Sequence, residues 1–358
     1  MAIRTDSFLG ANTPSGFVSL FDELYDPFKN SRTYIIKGGP GCGKSTFMKS
    51  IAQKALSLGY DTEFIHCSSD PQSLDAVRIP EISFCICDGT SPHIVEPRFP
   101  GACENIIDLG RFWDEKGLHD DADEIRRLTL ENSIYHRRST RFLNAAGSLN
   151  EEMLRLTSDS ILEEKLNGYA IRFCGRELSR KKGAAPGRKS NCFLSGITPD
   201  GIILYENTLK SLSSRIIAVE DEYSLASGML VERIGERAAA NGYDVIFCRC
   251  PMKPKGFCEH IIIPQVSLSV VTEKSFHPLG IETSRTIHAK RFLDEEKLNR
   301  CRKRLSFNRK IIRELVSQSI MMLQKAKQTH DMLEDYYVKR MDFDAKNEYC
   351  SEFINSIF

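Results

Sequence analysis

Thr33-Tyr34-Ile35-Ile36-Lys37-Gly38-Gly39-Pro40-Gly41-Cys42-Gly43-Lys44-Ser45-Thr46 carries an apolar run into a glycine-rich turn and out to a lysine and two hydroxyls. Gly38, Gly43, Lys44 and Ser45 satisfy G-x-x-x-x-G-K-S, and Phe47, Ile51, Ala55 and Leu58 follow at helical spacing as far as Gly59, where a left-handed C-cap is expected. A strand before and a helix after are the context in which this pattern, the P-loop, wraps polyphosphate. Glycines let main-chain N–H groups close around phosphate oxygens, and the helix N-terminus adds partial positive charge. Lys44 is placed to reach the β- and γ-phosphates, Ser45 to ligate Mg2+ and Thr46 to offer a hydroxyl near the α-phosphate. The expected binding set for ATP with Mg2+ is therefore Gly38, Gly39, Pro40, Gly41, Cys42, Gly43, Lys44, Ser45 and Thr46.

Such a site needs an acid at the end of a neighbouring strand to hold the magnesium. Asp88 closes the apolar run Ile82 to Cys87 and is the candidate, so Lys44 and Asp88 are the expected catalytic pair, and Ser45 and Asp88 the expected metal-holding pair. No glutamate follows Asp88 to polarise water, which points to a slow hydrolase, a switch or a phosphotransferase. His66, Asp70, Asp75 and His93 lie at expected strand ends, where a doubly wound sheet opens its ligand crevice. His66, Cys67 and His93 lack the spacing of a recognised metal site. Cys42, beside Lys44 and a helix N-terminus, is a candidate for a lowered thiol pKa.

The chain also contains itself twice. Phe8-Leu9-Gly10 through Thr13-Pro14-Ser15-Gly16 matches Phe193-Leu194-Ser195 through Thr198-Pro199-Asp200-Gly201 at a shift of 185. Gly59-Tyr60-Asp61 matches Gly242-Tyr243-Asp244 at 183, Ile79-Pro80 matches Ile263-Pro264 and His93 matches His277 at 184, and Arg111-Phe112 matches Arg291-Phe292 at 180. Ordered matches with small indels imply two tandem copies. In the second, the 183 shift sets Asp221, Ala226, Ser227 and Gly228 where Gly38, Gly43, Lys44 and Ser45 stand, Thr272 replaces Asp88 and Arg249 replaces His66. That copy is expected to bind no MgATP and to serve as a structural or regulatory partner, with Arg215 or Arg249 as arginines it could offer the active site.

The expected fold class is α/β: two tandem P-loop-like units with doubly wound parallel sheets, each carrying a long helical arm, near 103–168 and 285–345. Alternating steps of three and four from Leu298 to Tyr336 suggest a helical hairpin packed within the protein. The expected domains are 1–179 with the active site, a basic flexible linker at 180–190, and 191–358 with a degenerate loop. A formal charge of +1 and 27% charged residues argue against nucleic acid as partner. Twelve dispersed cysteines, the absence of an apolar leader and no apolar run near the roughly 18 residues of a membrane span lead to the expectation of reduced thiols, a cytoplasmic location and no membrane. The Cys85/Cys87 and Cys248/Cys250 pairs lie in or beside apolar runs and read as buried thiols.

The loop Lys37 to Thr46, the opening Phe8 to Gly16, the run His66-Cys67-Ser68-Ser69-Asp70-Pro71-Gln72-Ser73-Leu74-Asp75, Ile79-Pro80-Glu81 and Asp88-Gly89-Thr90-Ser91-Pro92-His93 together resemble a family of tandem-duplicated P-loop proteins of spore-forming and related bacteria, grouped as ATPases or ATP-binding proteins. The resemblance covers essentially the whole chain and implies ATP binding and a P-loop fold without a substrate. Family members often carry the loop in both halves, from which this chain departs. The expected function is a slow MgATP hydrolase acting as a conformational switch, with a catalytically dead second copy. Two alternatives stand beside it. One is a P-loop kinase acting on a small molecule, with Arg126, Arg127, Arg137, Arg138 and Arg141 as lid residues; the other is a non-hydrolysing nucleotide-dependent module read by a protein partner through the helical arms.

Overall fold

β1 (Arg4–Ser7) leads into a hairpin, β2 (Gly10–Thr13) and β3 (Gly16–Ser19), in a computed structural model that describes residues 2–26, 32–274 and 279–358. There follow β4 (Arg32–Lys37), α1 (Lys44–Ser57), β5 (Thr62–His66), β6 (Leu74–Ile79), β7 (Phe84–Asp88), β8 (Glu104–Asp108), α2 (Glu115–Asp120), a 37-residue α3 (Ala122–Ser158) and α4 (Glu163–Glu177). The second half runs β9 (Lys189–Cys192), β10 (Ser195–Thr198), β11 (Gly201–Leu204), α5 (Glu206–Leu212), β12 (Arg215–Glu220), α6 (Leu225–Ala240), β13 (Val245–Arg249), β14 (Cys258–Ile263), β15 (Leu268–Glu273) and β16 (Arg285–His288). It closes with a 44-residue α7 (Glu295–Val338) and α8 (Phe343–Ile357).

Two six-stranded sheets result, ordered β1-β5-β6-β7-β4-β8 and β9-β13-β14-β15-β12-β16, so that each strand of one has a counterpart at the same place in the other. The α/β class holds, but the sheets are mixed rather than parallel. β6 runs antiparallel to both β5 and β7, as β14 does to β13 and β15. The physical reason lies in the connections: the loops 67–73 and 80–83 are too short for a crossover helix, so the chain must double back. Nor is the first sheet doubly wound. Alternation along the strands sends Ile36, Phe64, Val77 and Ile86 to a face covered by Phe47, Met48 and Ile51 of α1, while Ile35, Ile65, Ala76 and Cys85 meet Leu9, Phe21 and Leu24 from irregular chain.

The stretches expected to be helical open instead on edge strands, β8 and β16, each parallel to its neighbour. Their helices do not fold back within one half. α3 and α7 lie antiparallel against each other: Asn132 Nδ2 donates to the Ala326 carbonyl at 2.7 Å, Ser139 and Ser319 share a hydroxyl hydrogen bond of 2.7 Å, and Asn308 Nδ2 donates to Glu152 at 2.9 Å. The chain then crosses over at both ends. Leu166, Ala170 and Phe173 of α4 are fully buried in the core of the second sheet, among Ile217, Val219 and Ile261. Cys350 of α8, with Tyr349, Phe353 and Ile354, packs into the core of the first. Contacts on the dividing line are reciprocal: Phe8 and Phe193 exchange main-chain hydrogen bonds of 2.8 and 2.9 Å, Trp113 bridges to Met341, and Ile161 bridges to Leu293. Ser139 and Ser319 are 180 residues apart, the offset that relates Arg111 to Arg291.

The basic segment runs beside α6 of the second half. Lys181 N donates to Asn241 O, Gly187 N to Ala239 O and Arg188 N to Asp244 Oδ1, holding it along the end of α6 until Lys189 enters β9. Among the described residues no helix is long and apolar enough to cross a membrane. The cysteines are free, and burial lifts the thiol of Cys85 to about 12 and that of Cys250 to about 11.

Candidate functional site

β4 sits between β7 and β8, and its chain leaves the sheet at Lys37, turns through Gly38 to Gly43 and enters α1 at Lys44. Gly41 at φ 68° and Gly43 at φ 81° hold left-handed conformations that a side chain resists. Gly43 is the N-cap of α1; no side chain caps this end of the helix and no acid stands in its first turn. Lys44 folds back over the turn, donating to the carbonyls of Gly38 at 2.9 Å and Gly39 at 2.8 Å, with its ammonium 3.5 Å from Asp88 Oδ2. Asp88 ends β7 beside Ile36 of β4, and its second oxygen accepts from the Thr90 amide and hydroxyl. Ser45 Oγ accepts from the Leu74 amide at 2.9 Å, and Thr46 is exposed. The fold thus brings Lys44 and Asp88 together at the mouth of the turn.

Cys42 departs from expectation. It is 1% exposed, its Sγ donates to the Gly39 carbonyl at 3.1 Å, and burial pushes the thiol up against the weaker opposing pull of Lys44. A buried thiol without thiolate character is not a reactive one.

The outlying polar candidates divide. His66 is a core residue: Nε2 meets Asp6 Oδ1 at 2.8 Å, Nδ1 meets the Pro71 carbonyl at 2.9 Å, and the ring stacks on Tyr205. Asp70 accepts from the Ser73 hydroxyl and lies 3.7 Å from Lys327 of α7. Asp75 and His93 are buried and meet at 3.0 Å, beside the half-buried Cys67, and His66 is not among that group. Arg126 and Arg127 pair with Asp123, Glu124 and Glu131 on an exposed face of α3, and Arg137, Arg138 and Arg141 are exposed on the same helix. Arg215 is bound to Glu177, and Arg249 to Glu232 and Asn191, within the second-sheet layer.

Sequence patterns miss what the second half contributes. Glu334 of α7 accepts from the Gly41 amide at 3.2 Å, across 293 residues of chain, and its carboxyl is held below the ordinary range chiefly by a hydrogen bond from His330. Tyr337 and Trp113 flank Gly39, their rings 5.6 Å apart. Lys346 of α8 is 3% exposed, and its ammonium stands 2.9 Å from where a side-chain carbon on Gly43 would sit. Nothing in the local spacing of these residues marks them; the sole signal is that α7 and α8 end an apolar pattern with no partner in their own half. On the β8 side of the turn a cleft of about 570 Å³ opens between Arg111–Asp114 and Lys339–Ala345.

The corresponding turn of the second half is built differently. Six residues, 38–43, separate β4 from α1, but only four, 221–224, separate β12 from α6. Ser224, at φ 65°, is the left-handed N-cap where Gly43 is in the first half, so Leu225 rather than Ser227 takes the place of Lys44, and Ala226 rather than Gly228 that of Ser45. Asp221, 4% exposed, accepts from the amides of Tyr223 at 2.9 Å and Ser227 at 2.8 Å, so a built-in carboxylate satisfies the end of α6. Compared with family models, with curated proteins and with solved structures, the chain matches none.

Proposed function

We propose that the chain binds MgATP at the β4–α1 turn and hydrolyses it slowly, using the nucleotide as a conformational switch between its interlocked halves. The observation that carries this reading is the lysine of the G-x-x-x-x-G-K-S turn lying 3.5 Å from the acid that ends the adjacent strand, at a helix N-terminus no side chain caps. Polyphosphate is the ligand that meets all three features: amides for its oxygens, an ammonium for its β- and γ-groups, and a carboxylate for its magnesium. Lys44 exchanges its two carbonyl partners for phosphate oxygens, Ser45 gives its hydroxyl to Mg2+, and Asp88 holds the ion through water. Water attacks the γ-phosphorus, the bond to the β–γ bridging oxygen breaks, and ADP and inorganic phosphate leave. Without a glutamate after Asp88 the attacking water is poorly activated, so turnover is slow. The purine occupies the cleft on the β8 side, beside Trp113, because the γ-phosphate end faces Asp88 on the β7 side.

Two copies of one duplicated unit account for the shared strand order and the reciprocal contacts. In the second, Asp221 supplies the anion that a nucleotide would otherwise bring, so that copy binds none. The switch reading, rather than a kinase, is favoured by Glu334 on the Gly41 amide: an entering phosphate must displace that carboxylate and with it the end of α7. Incubation with γ-labelled ATP and Mg2+ tests this. Label is expected as inorganic phosphate, slowly, and not at all from Lys44→Ala; label appearing on a small molecule added as a metabolite extract would make the protein a kinase.

A further inference from the structure

We propose that Cys67, Asp75 and His93 form a zinc site in the first half, beside but separate from the nucleotide turn. Their ligand atoms, a thiol sulfur, a carboxylate oxygen and an imidazole nitrogen, all lie within 4.8 Å of one another. A tetrahedral ion with ligands at about 2.0–2.3 Å sets those atoms roughly 3.3–3.8 Å apart, so the three need only draw in slightly. Soft thiolate, borderline imidazole and a single hard carboxylate are the mixture that selects Zn2+ over Mg2+ or Ca2+, and three protein ligands leave a fourth position for water.

Two further observations point to a cation there. Asp75 and His93 are 4% and 5% exposed, and the carboxylate pairs with His93 Nε2 at 3.0 Å, yet the buried His93 Nδ1 has no hydrogen-bond partner. Buried polar atoms are otherwise almost always satisfied. The second half offers an internal comparison. Cys250 and Glu259 occupy the places of Cys67, one residue past β5, and Asp75, the second residue of β6. There the protein supplies its own cation: Lys274 Nζ, largely buried, sits 2.7 Å from Glu259, with Cys250 Sγ 3.8 Å from the same carboxylate. Thr90 stands at that lysine's position in the first half, and the cationic partner left to Asp75 among the described residues is His93. His277, its counterpart, lies outside the described residues.

The main-chain amides of Ser69 and Asp70 face the Cys67 sulfur and partly offset the burial and the Asp75 charge that push its thiol well up; the turn that presents them is fixed by Cys67 N donating to Ser73 O and by the Ser73–Asp70 hydrogen bond. An ion would tie together three segments that flank the nucleotide turn: residue 67 after β5, residue 75 next to the Leu74 amide that holds Ser45, and residue 93 on the loop leaving Asp88. It needs none of the nucleotide chemistry proposed above, and is tested without it.

Full-length protein is stripped with a chelator, given one equivalent of Zn2+ without nucleotide, gel-filtered, and assayed for metal. It is then alkylated, and mass spectrometry locates the protected cysteine. One zinc per chain is expected, with Cys67 protected and Cys250 unchanged. Co2+ in place of Zn2+ should give a thiolate-to-metal charge-transfer band and intense tetrahedral ligand-field bands, and Asp75→Asn should weaken binding by at least about ten-fold. Wild-type protein that retains no zinc, or retains it while Cys67 reacts as fast as in the metal-free form, overturns the site whatever the variant does.

Discussion

At the scale of the residue, charge placed near the Gly38–Gly43 turn decides what it can hold. Glu334 is an acid seated on a loop amide, and a nucleotide bound there as proposed would have to compete with it. Removing one negative charge a few ångströms from a triphosphate in a half-exposed site is worth about 1 kcal/mol, so Glu334→Gln should tighten MgATP roughly five-fold by calorimetry. The same change in a protein whose Glu334 were only a surface group would leave the affinity alone. A second charged residue governs stability. Burial opposes ionisation of Glu259, but Lys274, His260 and the Ser195 hydroxyl outweigh it and hold the carboxyl far below its usual 4.5. A carboxyl depressed in the folded state contributes stability above its unfolded value and loses it as pH falls below that value. Urea midpoints should therefore drop as pH is lowered through about 4.5, and drop less steeply in Glu259→Gln/Lys274→Met, which removes the pair without stranding either charge. Equal slopes would mean that the pair does not set the acid limb.

At the scale of the element, the exchange of terminal helices dominates. Phe173 belongs to the first half by sequence and is fully buried in the core of the second sheet. Phe173→Ala should cost about 3–5 kcal/mol, and hydrogen exchange should show the loosening in α6 and β14 rather than in α1 and β6. Loosening around α1 would mean that α4 packs on its own half. Elements also differ in how far sequence reveals them. β4 and α1 are legible because glycine spacing and helical periodicity are local, and the β2–β3 and β10–β11 hairpins because Thr-Pro-x-Gly is a turn signal in itself. β6 and β8 are not: Asp75, Arg78 and Asp108 break their apolar pattern, and their direction is set by loop length. The pairing of α3 with α7 cannot be read from either helix, because the same three-and-four spacing serves a partner in either half.

At the scale of the whole molecule, the asymmetry between similar halves is the main result. Both sheets have one strand order, and both halves lend a helix to the other, yet one turn ends on Lys44 and the other on Leu225 with Asp221 folded into the helix end. The missing lysine was visible in the sequence. The two-residue shortening that moves Leu225 into its place, and the carboxylate that fills the amide ring, were not, since a fixed shift of 183 carries no information about loop geometry. Glu334, Tyr337 and Lys346 were likewise invisible, because they reach the turn only through a crossing of the chain that tertiary packing dictates. Calorimetric titration of the full chain with MgATP bears most directly on all of this. One site per chain is predicted, lost in Lys44→Ala by at least the roughly 1.5–3 kcal/mol of a charge-assisted contact. Two sites per chain, or an affinity unmoved by Lys44→Ala, would contradict it.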